Sequence, residues 1–200
     1  MFYKMKHDSK YPDLWKNDKV IQSQRIVCPQ YPGHQRGVRT AWSLSLMPKS
    51  SRIGDFGNTV TSEWLVTDEV ACALKESSFT GYDFRPVDLC NNKIKSPLWE
   101  LFITGKGGEA HPDAGIIKTY YCASCGQTNY RAFTNGIGII VDESNWDGSD
   151  FFTITAYPKF VLVTQRIKDF IEKKHWKGVL FVKSTELLRD ERYGDTVSPF

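Results

Sequence analysis

Two stretches of the chain share one pattern of apolar and polar positions. Residues 64–84 align with residues 161–181 without a gap, at a constant offset of 97 positions (164 − 67). In each stretch a short apolar run predicts a strand, and a threonine, Thr67 or Thr164, follows at the position of a helix N-cap. Apolar residues then recur at helical spacing. The pattern therefore predicts a strand and a helix in each stretch.

A glycine closes each of these stretches. Gly81 and Gly178 are typical of a helix that ends at or near its C′ position. A second apolar run follows each glycine and predicts another strand. The chain is therefore expected to contain two related strand–helix–strand units, at 63–89 and 160–187. Gene duplication and convergent patterning both account for their similarity.

The rest of the chain is predicted to complete one α/β domain over residues 1–190. Segments rich in strand formers between the two units indicate a mixed sheet, so the expected fold is mixed α+β. Proline and glycine are frequent in residues 1–60, which are expected to form a loop-rich N-terminal segment. Residues 191–200 are polar and are expected to form a tail.

Composition narrows the class of protein. Hydrophobic residues make up 40% of the 200 residues and charged residues 24%, which is typical of a folded globular chain. No apolar run is long enough to cross a bilayer, and the N-terminus has no signal-peptide pattern, so a cytoplasmic protein without membrane contact is expected. The net charge of +3 is too small to indicate nucleic acid or membrane binding by itself.

One short motif points to metal chemistry. Cys122 and Cys125 are two residues apart and precede Gly126 in "TYYCASCGQTN". Such a pair commonly supplies two of the four ligands of a tetrahedral zinc site. The second pair is expected from "RIVCPQYPGHQRGVR", where Cys28 and His34 lie in a segment that proline and glycine can fold back on itself. A closed set of four ligands predicts a structural zinc ion.

Other interpretations of the cysteines stay open at this point. His111 competes with His34 as the fourth ligand, and Cys72 is most simply a small buried helix residue. Cys122 and Cys125 could also be two reduced cysteines of a turn, or a redox pair. A thioredoxin-type pair would begin a helix, and the polar residues after Gly126 do not predict one. No sequence motif of a catalytic zinc site is present.

An acidic segment, "VDESNWDGSD", is a candidate partner-binding loop. It contains Trp146, Asp147 and Asp150. Tryptophan is enriched among the residues that dominate interface energetics, and a basic partner would favour the acidic neighbours. A plain acidic turn is the simpler interpretation of the same residues.

Several motifs together resemble the bacterial double-CXXCG motif family. They are "CPQYPGHQR", "SRIGDF", "SEWLVTDEV", "FTGYDFRPV", "LWELFITGKGGEAHPDAGI", "CASCG", "ESNWDGSDFF" and "FVLVTQRIKDFI", in that order, over roughly residues 20–187. Cys122, Cys125 and Gly126 match the second CXXCG motif. The first motif keeps Cys28 but has Tyr31 at the position of its second cysteine. His34 in place of that thiolate would give a site of three cysteines and one histidine.

The resemblance also implies a function. Some members of this poorly characterised family are similar to immunity proteins, which bind a toxin and neutralise it. The expected function is therefore that of a non-enzymatic, zinc-containing binding protein with a protein partner. A redox protein or enzyme that uses the CxxC pair is one alternative. A zinc-ribbon module that binds nucleic acid is the other, and the absence of a basic stripe along the sequence does not favour it.

Overall fold

The computed structural model describes residues 1–131 and 137–187. The tail predicted at 191–200 lies outside these residues. Among the described residues, no helix is long and apolar enough to span a bilayer.

The described chain is dominated by β-strands. The strands are β1 (Phe2–His7), β2 (Ser23–Val27), β3 (Gln35–Arg39), β4 (Leu44–Leu46), β5 (Phe56–Asn58), β6 (Trp64–Thr67), β7 (Tyr82–Leu89), β8 (Leu98–Ile103), β9 (Gly105–Lys106), β10 (Ile117–Tyr121), β11 (Thr128–Arg131), β12 (Phe151–Ile154), β13 (Tyr157–Thr164) and β14 (Val179–Lys183). The helices are α1 (Asp68–Lys75) and α2 (Gln165–Lys173), with short 3₁₀ turns at Pro112–Ala114 and Ser184–Glu186.

These strands form two five-stranded sheets and two separate hairpins. The strand order is β5-β6-β8-β7-β4 in the first sheet and β9-β12-β13-β1-β14 in the second. Each sheet has one parallel pair, β4 with β7 and β9 with β12, and its other pairs are antiparallel. The hairpins are β2-β3 and β10-β11. The architecture is thus mixed α+β with mixed sheets, as predicted, although strands far outweigh the two short helices.

The N-terminal segment contributes more than loops. β1 lies inside the second sheet, between β13 and β14, and pairs antiparallel with both. Tyr3 and Met5 on this strand are buried. The alternation of apolar and polar residues in "YKMK" is the period-two signal of a half-buried strand, whereas the prolines and glycines that predict loops come later in the segment.

The two sheets pair their strands in the same order around their helices. In the first sheet β8 lies between β6 and β7, antiparallel to both, and β5 flanks β6. In the second sheet β1 lies between β13 and β14, antiparallel to both, and β12 flanks β13. The strand that completes the second arrangement therefore comes from the N-terminus of the chain.

Backbone hydrogen bonds join the two arrangements reciprocally. Phe56 N–H donates to Lys177 O at 2.9 Å, and Phe151 N–H donates to Thr80 O at 3.0 Å. The loop after α2 therefore contacts β5 of the first sheet, and the loop after α1 contacts β12 of the second sheet.

Two buried or partly buried aspartates reinforce these contacts. Asp55 accepts a hydrogen bond from Lys177 N–H at 2.7 Å, and Asp150 accepts one from Thr80 N–H at 3.2 Å. The carbonyl oxygens of the same two aspartates accept from the helix N-cap threonines, each at 3.0 Å. Each aspartate thus ties the start of one helix to the end of the other.

Gly81 and Gly178 do not end the helices, which corrects the expectation from sequence. The C-caps are Glu76 and Lys174, several residues earlier. Both glycines have positive φ, +87° and +92°, and both sit against a backbone carbonyl. A Cβ atom would lie 2.0 Å from Phe151 O or 1.9 Å from Phe56 O. The glycines are needed because the reciprocal contact brings two backbones together.

The largest buried cluster contains residues from both helices and both sheets. Val70 and Leu74 of α1 share it with Ile167 and Ile171 of α2, and Phe56 and Phe151 belong to it as well. The core is therefore common to the two sheets, which places the described residues of both in one folded body.

Candidate metal site

The candidate metal site lies where the ends of the two separate hairpins meet. We call residues 23–39 and 117–131, which contain β2-β3 and β10-β11, the hairpin pair. One hairpin supplies Cys28 and His34 from the turn between its strands, and the other supplies Cys122 and Cys125.

Local hydrogen bonds shape the first turn. Cys28 N–H donates to His34 O at 2.9 Å, which closes the turn directly after the last paired residues of β2 and β3. His34 N–H donates to Tyr31 O at 2.8 Å inside the turn. The prolines and Gly33 of this segment restrict and bend the backbone between the two ligands.

The second turn has a similar closure. Cys122 N–H donates to Gln127 O at 2.8 Å, and Gly126 N–H donates to Cys122 O at 2.8 Å. Gly126 has a φ of +73° and no heavy atom within 4 Å of an added Cβ, so backbone conformation alone favours glycine there. The two cysteines therefore sit in a tight turn between strands and do not begin a helix.

The four predicted ligands come together across the two turns. One ligand atom from each of Cys28, His34, Cys122 and Cys125 lies within 4.8 Å of all the others. The Cys28 and Cys122 sulfurs are 3.9 Å apart, and Cys125 Sγ is 4.0 Å from His34 Nδ1. All five cysteines of the chain are free thiols. These four residues can hold a metal ion.

The donor set and its spacing fit a tetrahedral ion. With Zn–S bonds of about 2.3 Å, two sulfurs at a tetrahedral angle lie about 3.8 Å apart. The observed sulfur separation of 3.9 Å agrees with this value. It is far longer than the roughly 2 Å of a disulfide bond.

Electrostatics at the site favour one ligand in its thiolate form. Burial opposes ionisation of Cys122, but hydrogen bonds from the Cys125 and Ser124 backbone and from the His34 ring outweigh it and lower the pKa to about 6. The backbone N–H of Gln127 favours the Cys125 thiolate, yet burial and the nearby sulfurs raise the pKa of Cys125. The thiolate is the form of cysteine that binds a metal ion.

Aromatic rings hold the histidine in place. The His34 ring contacts two tyrosine rings, that of Tyr31 at a centroid distance of 5.2 Å and that of Tyr120 at 5.4 Å. Burial, a hydrogen bond to the Cys122 sulfur and the negative charge of the Cys122 thiolate raise the pKa of Tyr120 to about 12. The two rings orient the imidazole beside the sulfurs, a role that outer groups commonly have at metal sites.

The competing candidates lie elsewhere. His111 is not in the cluster; its Nδ1 accepts from Asp113 N–H at 3.3 Å and caps the 3₁₀ turn Pro112–Ala114. Cys72 is exposed on α1, which corrects the expectation that it is buried. A short helix on the surface has only one apolar face, and Cys72 lies off it.

The residues of the candidate partner-binding loop are placed in different environments. Asp150 is buried, and it accepts from Thr164 Oγ1 at 2.8 Å as well as from Thr80. Trp146 is partly buried against Phe2 and donates to Ser149 O at 3.1 Å. Asp147 is exposed but accepts from Lys106 N–H at 2.7 Å. Their part in binding a partner stays a prediction.

One contact that ties the hairpin pair to the first sheet was not predicted. Arg39, at the end of β3, forms an ion pair with Glu100, whose side chain is only 4% exposed. Arg39 also donates from Nε to Ala41 O at 2.8 Å. Glu100 is the one charged residue in the otherwise apolar strand "LWELFI". This charged residue among apolar ones is the only sequence signal of the Arg39–Glu100 ion pair.

Comparison with known proteins identifies no family for this chain. A scan against protein-family models finds no match, and neither does a search of the curated proteins.

Proposed function

We propose that this chain is a non-enzymatic binding protein whose two hairpins are joined by a structural zinc ion in a zinc-ribbon-like clasp. The observation that supports the metal best is the convergence of Cys28, His34, Cys122 and Cys125 from two hairpin turns. Thiolate and imidazole ligands in a tetrahedral arrangement suit zinc among the common ions. Such a site needs reduced thiols, which agrees with a cytoplasmic location.

A structural role follows from the ligand set. Four protein ligands fill a tetrahedral zinc ion and leave no position for a water or a substrate. The CxxC pair lies in a turn between two strands, in contrast to the helix start that activates redox cysteines of the thioredoxin type. Both points favour a zinc ion that cross-links the two hairpins over a zinc ion or a cysteine pair that takes part in catalysis.

For the partner, we propose a protein, in the first place a toxin that this chain neutralises. The resemblance to the double-CXXCG family motivates this proposal. The rigid acidic loop at residues 142–147 supports it, because Asp142 accepts hydrogen bonds from Ser144 and Asn145. A surface that is ordered before binding loses little conformational entropy when a basic partner docks.

The two strand–helix–strand units are also proposed to be related copies. Their equal strand order and the reciprocal hydrogen bonds around Asp55 and Asp150 support a common origin. A duplicated unit that exchanges contacts with its copy would bury both helices in a shared core.

The zinc proposal is tested by elemental analysis of protein purified without chelator. We expect about one zinc ion per chain, and loss of that ion with a lower melting temperature in Cys28→Ser. Cys72→Ser is the matched control, because Cys72 is exposed and lies outside the cluster. Equal metal content in the Cys28→Ser variant and the parent would contradict the site.

The partner proposal is tested by co-expression with the product of any toxin-like reading frame adjacent to this gene. We expect rescue of growth, and loss of rescue in Glu143→Lys, which reverses an exposed charge of the acidic loop. Glu76→Lys is the control at another exposed site. If Glu143→Lys and Glu76→Lys rescue growth equally well, this loop is not the contact surface. Absence of rescue by the parent chain would exclude neutralisation of that toxin.

A further inference from the structure

A cleft opens between the two sheets. Its volume is about 350 Å³, within the range of about 300 to 1,000 Å³ that is typical of pockets for small molecules. One wall is formed by residues 61–64, at the start of β6, and by the end of β8. The other wall is formed by residues of β12 and β13. None of the four candidate metal ligands lines this cleft, so it is a separate site.

Four charged side chains line the cleft, and the protein itself occupies the polar atoms of two of them. The four are Arg39, Glu63, Glu100 and Lys159. Both carboxylate oxygens of Glu63 accept hydrogen bonds, one from Lys16 and the other from two threonines. All three nitrogens of Arg39 donate, to one oxygen of Glu100 and to two backbone carbonyl oxygens. Glu100 and Lys159 are therefore the groups that a ligand can engage.

Glu100 keeps one buried oxygen without a donor. Its side chain is only 4% exposed, and its Oε1 forms the ion pair with Arg39. No donor in the described part of the chain lies within hydrogen-bond distance of Oε2. Arg85 lies opposite Glu100 in the pairing of β7 with β8, but its guanidinium stacks 3.2 Å from the centre of the Phe102 ring. A buried carboxylate oxygen without a donor is costly, so an N–H group of a ligand would be stabilised there.

Lys159 supplies the opposite charge from the other wall. It lies on β13, is exposed, and forms no ion pair with another described residue. Because Glu100 is buried and Lys159 is exposed, the cleft has a negative acceptor in its interior and a cation toward the solvent. A ligand with both charges would satisfy both groups.

Apolar side chains from both sheets complete the lining. Leu101 and Ile103 of β8 and Val161 of β13 contribute apolar surface, and Thr153 of β12 adds a hydroxyl. An apolar group of a ligand would leave water when it packs against these residues, which favours binding.

We propose that this cleft binds a small zwitterion with an apolar body, such as a free amino acid or a dipeptide. Its ammonium would donate to Glu100 Oε2, and its carboxylate would pair with Lys159. A simple amine or a simple carboxylate would satisfy only one of these two groups, so the zwitterion is favoured. The inference goes beyond the proposed zinc ion and toxin binding and depends on neither.

The test uses isothermal titration calorimetry of the full chain, purified without chelator, with L-leucine and glycyl-L-leucine. We expect saturable binding of at least one of them, with a Kd below about 1 mM. Comparison of the two shows whether the source of the zwitterion is a free amino acid or a peptide. Absence of saturable binding for both would overturn the proposal.

Ligands with a single charge test the two contacts separately. 3-Methylbutylamine is leucine without its carboxylate, and 4-methylpentanoate is leucine without its ammonium. We expect each to bind at least about tenfold more weakly than the tighter zwitterion, because each loses one charge-assisted hydrogen bond. Equal affinity of either compound and the zwitterion would contradict the proposed pair of contacts.

Variants assign the contacts to residues. We expect Lys159→Met to weaken zwitterion binding about fivefold or more and to change the affinity for 3-methylbutylamine less than about twofold, since that compound has no carboxylate. The control Lys95→Met removes one exposed cation outside the cleft and should leave both affinities unchanged. Equal zwitterion affinities of Lys159→Met and Lys95→Met would contradict the site.

Glu100→Gln tests the buried end of the cleft. We expect it to weaken binding of both the zwitterion and 3-methylbutylamine at least about tenfold, because the amide has no charge to attract an ammonium. Melting temperatures are measured for all variants, since this substitution also removes the ion pair with Arg39. Unchanged binding in a folded Glu100→Gln variant would overturn the proposal, and Lys159→Met decides the question if Glu100→Gln does not fold.

Discussion

At the scale of single residues, His34 is the candidate ligand whose position is most informative. It lies on the opposite side of the β2-β3 turn from Cys28, and its ring contacts Tyr31 and Tyr120. Its Nδ1 is 4.0 Å from Cys125 Sγ on the other hairpin. A histidine in this position can complete a set of four metal ligands without a fourth cysteine.

We predict that His34→Ala lowers zinc affinity by at least tenfold and lowers the melting temperature, because three thiolates then leave one coordination position to water. Competition with a chromophoric chelator measures the affinity. His111→Ala is the matched control, since His111 caps a 3₁₀ turn outside the cluster. The ligand assignment is wrong if His111→Ala reduces the affinity as much as His34→Ala.

At the scale of elements, the two helix-to-strand loops make close backbone contacts between the sheets. Gly81 and Gly178 combine a left-handed backbone with close approach to a carbonyl oxygen of the other sheet's flanking strand. The same close approach positions Thr80 and Lys177 to donate to buried or partly buried aspartates. Each loop therefore makes several interactions that are possible only because its glycine has no side chain.

We predict that Gly81→Ala destabilises the fold by about 2 kcal/mol or more. The left-handed conformation accounts for about 1 to 2 kcal/mol of this in any non-glycine residue, and the displaced backbone adds to it. Urea denaturation followed by tryptophan fluorescence measures the free energy of unfolding.

Gly148→Ala separates the two contributions. Gly148 has a φ of +82°, close to that of Gly81, but an added Cβ would have no neighbour within 4 Å. We expect only the conformational cost in this control. Equal destabilisation by Gly81→Ala and Gly148→Ala would show that the approach to Phe151 O has no energetic importance.

At the scale of the whole molecule, the hairpin pair and the two sheets are stabilised by different means. The sheets share a large apolar core with both helices. In contrast, every residue of β2 and of β10 is exposed. The described contacts that fix the hairpin pair include Tyr130 in a second buried cluster and the Arg39–Glu100 ion pair, in addition to the four candidate ligands.

We predict that removal of the metal loosens the hairpin pair and leaves the sheets folded. Hydrogen exchange followed by mass spectrometry should show faster exchange in peptides from residues 23–39 and 117–131 after chelation. Peptides from β12 and β13 are the internal control, because their side chains lie in the buried clusters. Uniform acceleration across the chain would instead show that the ion supports the entire fold.

The sequence by itself determined the local features of this protein. The period of its apolar residues identified the two helices and the strands next to them, because helix and strand periodicity depend only on neighbouring positions. The CxxC spacing and the segment around Cys28 and His34 indicated four residues that the structure brings close enough to hold a metal ion. The resemblance of several motifs to one family then suggested a binding function.

Only the tertiary structure decided how distant segments combine. It placed β1 inside the second sheet, gave Gly81 and Gly178 their role between two backbones, and brought the four candidate ligands of two distant hairpin turns together. Burial of Glu100 and Asp150 likewise depends on neighbours far away in the chain. Strand pairing, close backbone approach and surface charge arise between residues that are distant in sequence, so no local pattern contains them.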